Sequence, residues 1–220
     1  MSTVITAGNA TNGLSLTPDN TGAFEFKTGT GAGTTALTLS STQVATFAGT
    51  VAGAAGTLYP LISGTAVAST SGTSIDFTSI PTWVKRITVN FSGVSTSGTS
   101  PPQIQIGDSG GVETTGYAGT SSAIAGGTAQ AVFTTGFGLG VNTSNWSSAV
   151  IVSGAITITL LNSSTNNWVA SGSLGRSDAT GSTYFTSGGK SLSDVLDRVR
   201  ITTVNGTDTF DAGSINILYE

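Results

Sequence analysis

The stretch VKRITVNFSGV (84–94) decides the fold class. Lys85, Ile87, Val89 and Phe91 fall on one side of an alternation, and Val84, Arg86, Thr88 and Asn90 on the other. A two-residue period rich in β-branched side chains is the pattern of a strand with one buried face. The same texture recurs along the chain. SIDFTSI (74–80) places Ile75, Phe77 and Ser79 on one face, and QIQIGD (103–108) places Ile104 and Ile106 inward with Gln103 and Gln105 outward. AQAVFTTGFG (129–138), SAVIVSGAITITLL (148–161), NWVASGSLG (167–175), STYFTSG (182–188), DRVRITTV (197–204) and GSINILYE (213–220) continue the series. In the last of these Ile215, Ile217 and Tyr219 share a face. The best helix candidate, SLSDVLDRVR (191–200), runs into a strand pattern and is read as a strand with at most one helical turn before it. Strands at this spacing, separated by Gly, Asn and Ser clusters, indicate an all-β fold: an antiparallel β-sandwich, jelly-roll-like.

The chain does not read evenly. Residues 1–51 carry only short alternating pieces, GLSLT, AFEFKT, ALTLSS and VATFAGTV, each too short to bury a core alone. Residues 52–72, AGAAGTLYPLISGTAVASTSG, are rich in small residues and punctuated by Pro60, which reads as a connector. The expected organisation is a short N-terminal β segment (1–51), a Gly/Ala-rich connector (52–72) and a C-terminal sandwich domain (73–220).

Composition narrows the function. Ser and Thr make up roughly a third of the 220 residues, Gly contributes 31, and only 8% are charged. The net charge is −4, and the close basic pairs Lys85-Arg86 and Arg198/Arg200 make no footprint for nucleic acid. No apolar run reaches the length of a membrane span, so no membrane insertion is expected. The opening MSTVITAGNATNG has neither a charged nor an apolar region of the signal-peptide kind. The chain has no cysteine, which fits assembly in a reducing cytosol.

One string invites a catalytic reading. GDSGG (107–111) surrounds the nucleophile of trypsin-like proteases, but a serine hydroxyl needs a general base and the chain has no histidine. Lys27, Lys85 and Lys190 are the only lysines, and none stands in an S-x-x-K arrangement with Ser109. Gly and Asp at these positions suit a turn, with Ser109 at its tip. NGTDTFDAGS resembles a calcium loop through Asn205, Asp208 and Asp211 but lacks the terminal glutamate and helical flanks. It reads instead as a hairpin turn with Asn205-Gly206 in type I′ geometry. Asp76, Asp108, Glu113, Asp178, Asp194 and Asp197 could serve glycoside hydrolysis only in pairs, and nothing in the sequence pairs them. No catalytic, metal or cofactor-binding set is therefore expected. Among the aromatic residues, Trp83 reads as a core or rim plug. Trp146, in the polar NTSNWSS, and Tyr117, in TTGYAGTSS, are the candidates for contact with a receptor such as a sugar ring.

TGAFEFKTGTGAGTTALTLSSTQVATFAGTV (21–51) resembles a segment of tail-fibre-like and other virion fibre proteins of tailed bacteriophages. SGTSIDFTSIPTWVKRITVNFSGVSTSGTS (71–100), GGVETTGYAGTSS and VRITTVNGTDTFDAGSINILYE resemble the C-terminal module of the same class. The resemblance implies a homotrimeric structural fibre, made in the host cytoplasm, released by lysis and resident in the virion. It implies attachment to other virion proteins, of tail or capsid, through residues 1–51. The C-terminal sandwich would adhere to the host surface, with bacterial surface glycan a candidate receptor. A head fibre or capsid decoration protein is the alternative within the class, and a polysaccharide-cleaving tailspike the alternative outside it.

Overall fold

The computed structural model of the chain describes residues 24–28, 34–40, 42, 44–49, 51–53, 56–124, 127–141, 146–178 and 181–220. Strands, turns and irregular connections account for these residues, and no helix occurs among them. All strand pairings are antiparallel. The chain divides into two units, Met1–Tyr59 and Pro60–Glu220.

In the first unit, β1 (Phe24–Thr28), β2 (Thr34–Leu39) and β3 (Ala45–Phe47) form a three-stranded sheet in that order, and β4 (Ala52–Gly53) pairs with β5 (Gly56–Thr57). Residues directly opposite each other in an antiparallel pair share a face. Phe26 lies opposite Leu37, Leu37 opposite Phe47, and Leu39 opposite Ala45. These five apolar residues therefore line one face, while Glu25, Thr38 and Thr46 line the other. None of the described side chains in this sheet is buried: Phe26 is 45% and Phe47 53% exposed.

The second unit holds β6 (Ile62–Ser63), β7 (Val67–Ala68), β8 (Ser74–Phe77), β9 (Arg86–Thr96), β10 (Pro102–Asp108), β11 (Gly111–Val112) and β12 (Tyr117–Ile124). It continues with β13 (Thr128–Phe133), β14 (Phe137–Gly138), β15 (Val152–Asn162), β16 (Asn167–Arg176), β17 (Ser182–Ser191), β18 (Arg198–Thr203) and β19 (Phe210–Tyr219). The smaller sheet has the order β11-β10-β18-β8, with β14 also on β10. The larger has the order β13-β12-β17-β16-β15-β9-β19-β6, with β7 also on β19. The alternation in residues 84–94 is realised in β9, where Ile87, Val89 and Phe91 are buried and Arg86 is exposed. They join Ile156 and Ile158 of β15 and Ile215 and Ile217 of β19 in one hydrophobic cluster. Ile75 and Phe77 of β8, Ile104 and Ile106 of β10, and Val199 and Ile201 of β18 belong to the same cluster, so both sheets share one core.

Four features differ from the sequence reading. The second half of the expected connector, from Pro60, belongs to the second unit: β6 and β7 bond β19, and the buried Ser69 donates its hydroxyl to the Ala212 carbonyl at 2.7 Å. Two-residue strands carry no alternation, so their pairing left no trace in the pattern. Residues 117–124, outside the stretches that read as strands, form β12 between β13 and β17. Gln103 and Gln105 do not face outward into solvent; every residue of β10 is buried. The 134–136 segment lies over them, with the Gln105 amide donating to the Thr135 carbonyl at 2.8 Å and the Thr135 hydroxyl to Gln103 at 3.0 Å. Finally, the Asn205-Gly206 turn is not type I′, which needs positive φ at both central residues. Gly206 alone is left-handed, at φ 69°, and its N–H closes the turn on the Thr203 carbonyl at 3.0 Å.

The β9–β19 pair carries a bulge at two glycines. The β9–β19 register slips between Ala212 and Ser214. There Gly93 and Gly213 take φ values of 64° and 91°, and a Cβ on Gly213 would lie 2.4 Å from the Gly93 carbonyl oxygen. Such a bulge admits no side chain at that point. Gly213→Ala is expected to destabilise the protein by at least about 2 kcal/mol. Gly175→Ala, exposed in β16 with only one ordinary contact at 3.8 Å, should be neutral or stabilising by up to about 1 kcal/mol. Urea unfolding of the two variants measures both; equal effects would contradict the bulge geometry.

Candidate functional site

The residues singled out for chemistry fall mainly into structural roles. Asp108 and Gly111 close the β10–β11 hairpin, with Ser109 and Gly110 at its tip. Asp108 Oδ1 accepts the Gly110 N–H at 2.8 Å, which holds the turn. Asn205 Oδ1 accepts the amides of Thr207 and Asp208 at 3.0 and 3.1 Å, and Asp208 Oδ2 accepts the Ser100 amide at 2.9 Å. Asp211 instead accepts the Ser95 hydroxyl. The three residues of the calcium-like string thus cap backbone or bond neighbours in different directions. Among the described residues no three His, Cys, Asp or Glu side chains gather where they could hold a metal.

Tyr117 and Trp146, the sequence candidates for receptor contact, are both core residues at 3% exposure. The Tyr117 hydroxyl accepts the Ile106 N–H at 2.7 Å and donates toward the carbonyls of Glu113 at 3.0 Å and Ile106 at 3.2 Å. Its ring meets Phe137 edge-on at 5.0 Å, and burial raises the phenol's pKa. Trp146 donates its indole N–H to Thr96 Oγ1 at 2.9 Å and packs 5.5 Å from the Tyr184 ring. Both buried polar tips are satisfied within the chain, so neither ring can reach a ligand without unpacking the core. The polar residues around them in sequence suggested loops, but a large ring among small side chains is drawn into whatever core is near. Trp83 is partly buried against the core, 6.0 Å from Tyr219.

The acids are mostly committed to cations. Asp76 holds Arg200 through two bonds of 2.6 and 2.8 Å, Asp197 holds Arg198, and Asp178 holds Arg176. Sequence gave no pair of carboxylates, but folding brings Asp108 and Glu113 to one hydroxyl. Ser193 Oγ lies 2.6 Å from Asp108 Oδ2 and 2.9 Å from Glu113 Oε1, and the Ser193 N–H donates to Glu113 at 2.7 Å. Lys190, 6% exposed, is ion-paired with Glu113, donates to the Ser191 carbonyl at 2.8 Å and lies 5.5 Å from the Tyr117 ring centre.

The electrostatics of this network argue against acid–base work. The Ser193 hydroxyl, then the Gly110 amide, hold Asp108 below the usual carboxylate range. Burial pushes Glu113 up, but Lys190 and the Ser193 amide and hydroxyl outweigh it and leave it lowered. Both groups are ionised at neutral pH, whereas a hydrolytic pair needs one of them kept protonated. The network instead pins the 190–194 segment to β10 and the 113–117 segment.

Among the described residues a broad surface on the large sheet is open. On the outer face of the large sheet, pairing aligns Gln130, Ser122, Phe185 and Ser173 in one row across β13, β12, β17 and β16. Thr120, Ser187 and Ser171 form the next row. These residues line a cleft of about 600 Å³, and Phe185 is 43% exposed within it. No lining residue is charged. No family, no curated protein and no solved structure matches the chain.

Because the folded pKa values of Asp108 and Glu113 lie below the unfolded values of about 4, their contribution is full above that pH and is lost as pH falls through the folded values. The melting temperature should therefore drop from about pH 5 downward. An Asp108→Asn/Glu113→Gln variant should be less stable at neutral pH and show a flatter acid limb in calorimetry. Parallel curves for the two proteins would contradict the assignment.

Proposed function

We propose that the chain is a non-catalytic structural fibre protein of a tailed-phage virion. It assembles as a homotrimer, attaches through its N-terminal unit and presents the second unit, packed as a β-sandwich, to the bacterial surface. The observation that carries this reading is the half-exposed apolar face of the first sheet. Phe26, Leu37, Leu39, Ala45 and Phe47 stand on one side of three short strands, with no described side chain there buried. A sheet with one apolar face is not stable in water until that face is covered. A second and third copy of the same face supply such a cover, and closed cyclic symmetry allows each to protect the others. The second unit has its own core and needs no such help. This contrast fits one part that orders against neighbours and one that is displayed, and it agrees with the resemblance of both parts to virion fibres.

Electron microscopy of particles labelled with antibody to the second unit tests the reading and separates a tail mounting from a capsid one. A fragment beginning at Pro60 is expected to unfold cooperatively as a β-rich domain and to be absent from virions. A folded fragment that still enters particles would reverse the assigned polarity. New reducing ends released from host capsule by the purified chain would replace the adhesive reading with an enzymatic one.

A further inference from the structure

We propose that the cleft on the outer face of the large sheet, centred on Phe185, binds a neutral oligosaccharide. The inference rests on the adhesive reading above and assigns that adhesion a place and a ligand class. Three features of the cleft select the ligand. First, it is uncharged: its lining is Ser, Thr, Gly, Gln and one Phe, so it offers nothing to compensate a carboxylate, phosphate or sulfate. Second, its hydroxyls are free to bond outward. Among the described residues, no side-chain hydrogen bond is made by Thr120, Ser122, Ser171, Ser173 or Ser187. A hydroxyl both donates and accepts, which matches the hydroxyls of a sugar. Strand spacing of about 4.8 Å sets them in a regular array rather than a single point. Third, Phe185 stands in that array between Ser122 and Ser173 with 43% of its surface exposed. A half-exposed ring among hydroxyls suits the C–H face of a pyranose, with polar groups on either side to take its equatorial hydroxyls.

The size agrees. A volume of about 600 Å³ is within the range of small-molecule sites and admits a short stretch of glycan rather than one sugar. The alternative occupant is a second copy of the chain, seated on Phe185 together with the exposed Val132 and Ile124 beside it on the same face; the hydroxyl lining of the cleft favours the sugar. Rows of hydroxyls on adjacent strands also suit an extended polymer, because successive sugars meet similar groups as they cross the sheet.

The test uses the full chain on an array of neutral and acidic bacterial oligosaccharides, followed by titration of the best neutral binder. Expected are selective retention of neutral glycans and a loss of about tenfold in affinity for Phe185→Ala, the size of one aromatic contact. Ser171→Glu, which puts a charge in the cleft, should lose binding altogether, while Ser109→Ala at the distant hairpin tip should bind as the wild type. Phe185→Ala should keep the wild-type melting temperature and sedimentation coefficient. Three outcomes would overturn the proposal: binding confined to acidic glycans, no binding to any neutral glycan, or cleft variants that bind normally. A changed sedimentation coefficient for Phe185→Ala would also overturn it, since the face would then be an interface between copies. None of these touches the fibre reading, which fails separately if the chain is absent from virions.

Discussion

An apolar side chain at every second position of a strand must be covered, and how that demand is met divides this protein in two. In the second unit the chain meets it internally: Ile87, Val89 and Phe91 of the central strand β9 face Ile104, Ile106, Val199 and Ile201 across a shared core. Burial of such side chains contributes about 1.5–3 kcal/mol each, enough over many residues to offset the entropy of ordering long strands. In the first unit the same alternation produces an apolar face that stays half-exposed, Phe26 at 45% and Phe47 at 53%. The physical demand is identical, but three short strands cannot satisfy it.

Much of this was legible in the sequence because the two-residue period is a direct image of burial. Strands β8, β9, β15, β16, β18 and β19 lie within or close to the stretches that alternate, and the inward set in β9 is the one the pattern selects. The pattern fails where burial is two-sided or local. Gln103 and Gln105 are polar yet buried, because a neighbouring segment satisfies their amides with Thr135. No periodicity encodes that. Strands β6 and β7 are held by backbone bonds to β19, which side-chain types do not reveal. Tyr117 and Trp146 were misplaced in burial: Tyr117 opens strand β12, whereas Trp146 lies outside any strand and turns its ring into the core against Gly140, and glycines beside such rings leave room for them. Gly119 and Gly188 illustrate it, since a Cβ on either would run into the Phe133 ring.

The candidate site was less legible than the fold. Phe185 and Ser173 are twelve residues apart in sequence, and Ser122 is far from both; only the register of β12, β17 and β16 makes them neighbours. Their chemistry was visible as composition, a chain of hydroxyls with little charge, but its concentration on one outer face is a property of the pairing. The polar network of Asp108, Glu113, Lys190 and Ser193 shows the converse. It gathers residues that look catalytic, and its ionisation state makes it a clamp.

The covered apolar face is the central claim, and sedimentation equilibrium of the full chain tests it most directly. The account predicts a particle of three times the 21.8 kDa chain mass at micromolar concentration. It also predicts that Phe47→Asp, at an exposed position of β3 outside the hydrophobic cluster of the second unit, shifts that mass toward the single chain while β-sheet content is kept. A folded wild-type monomer, or a Phe47→Asp protein that stays trimeric, would contradict it.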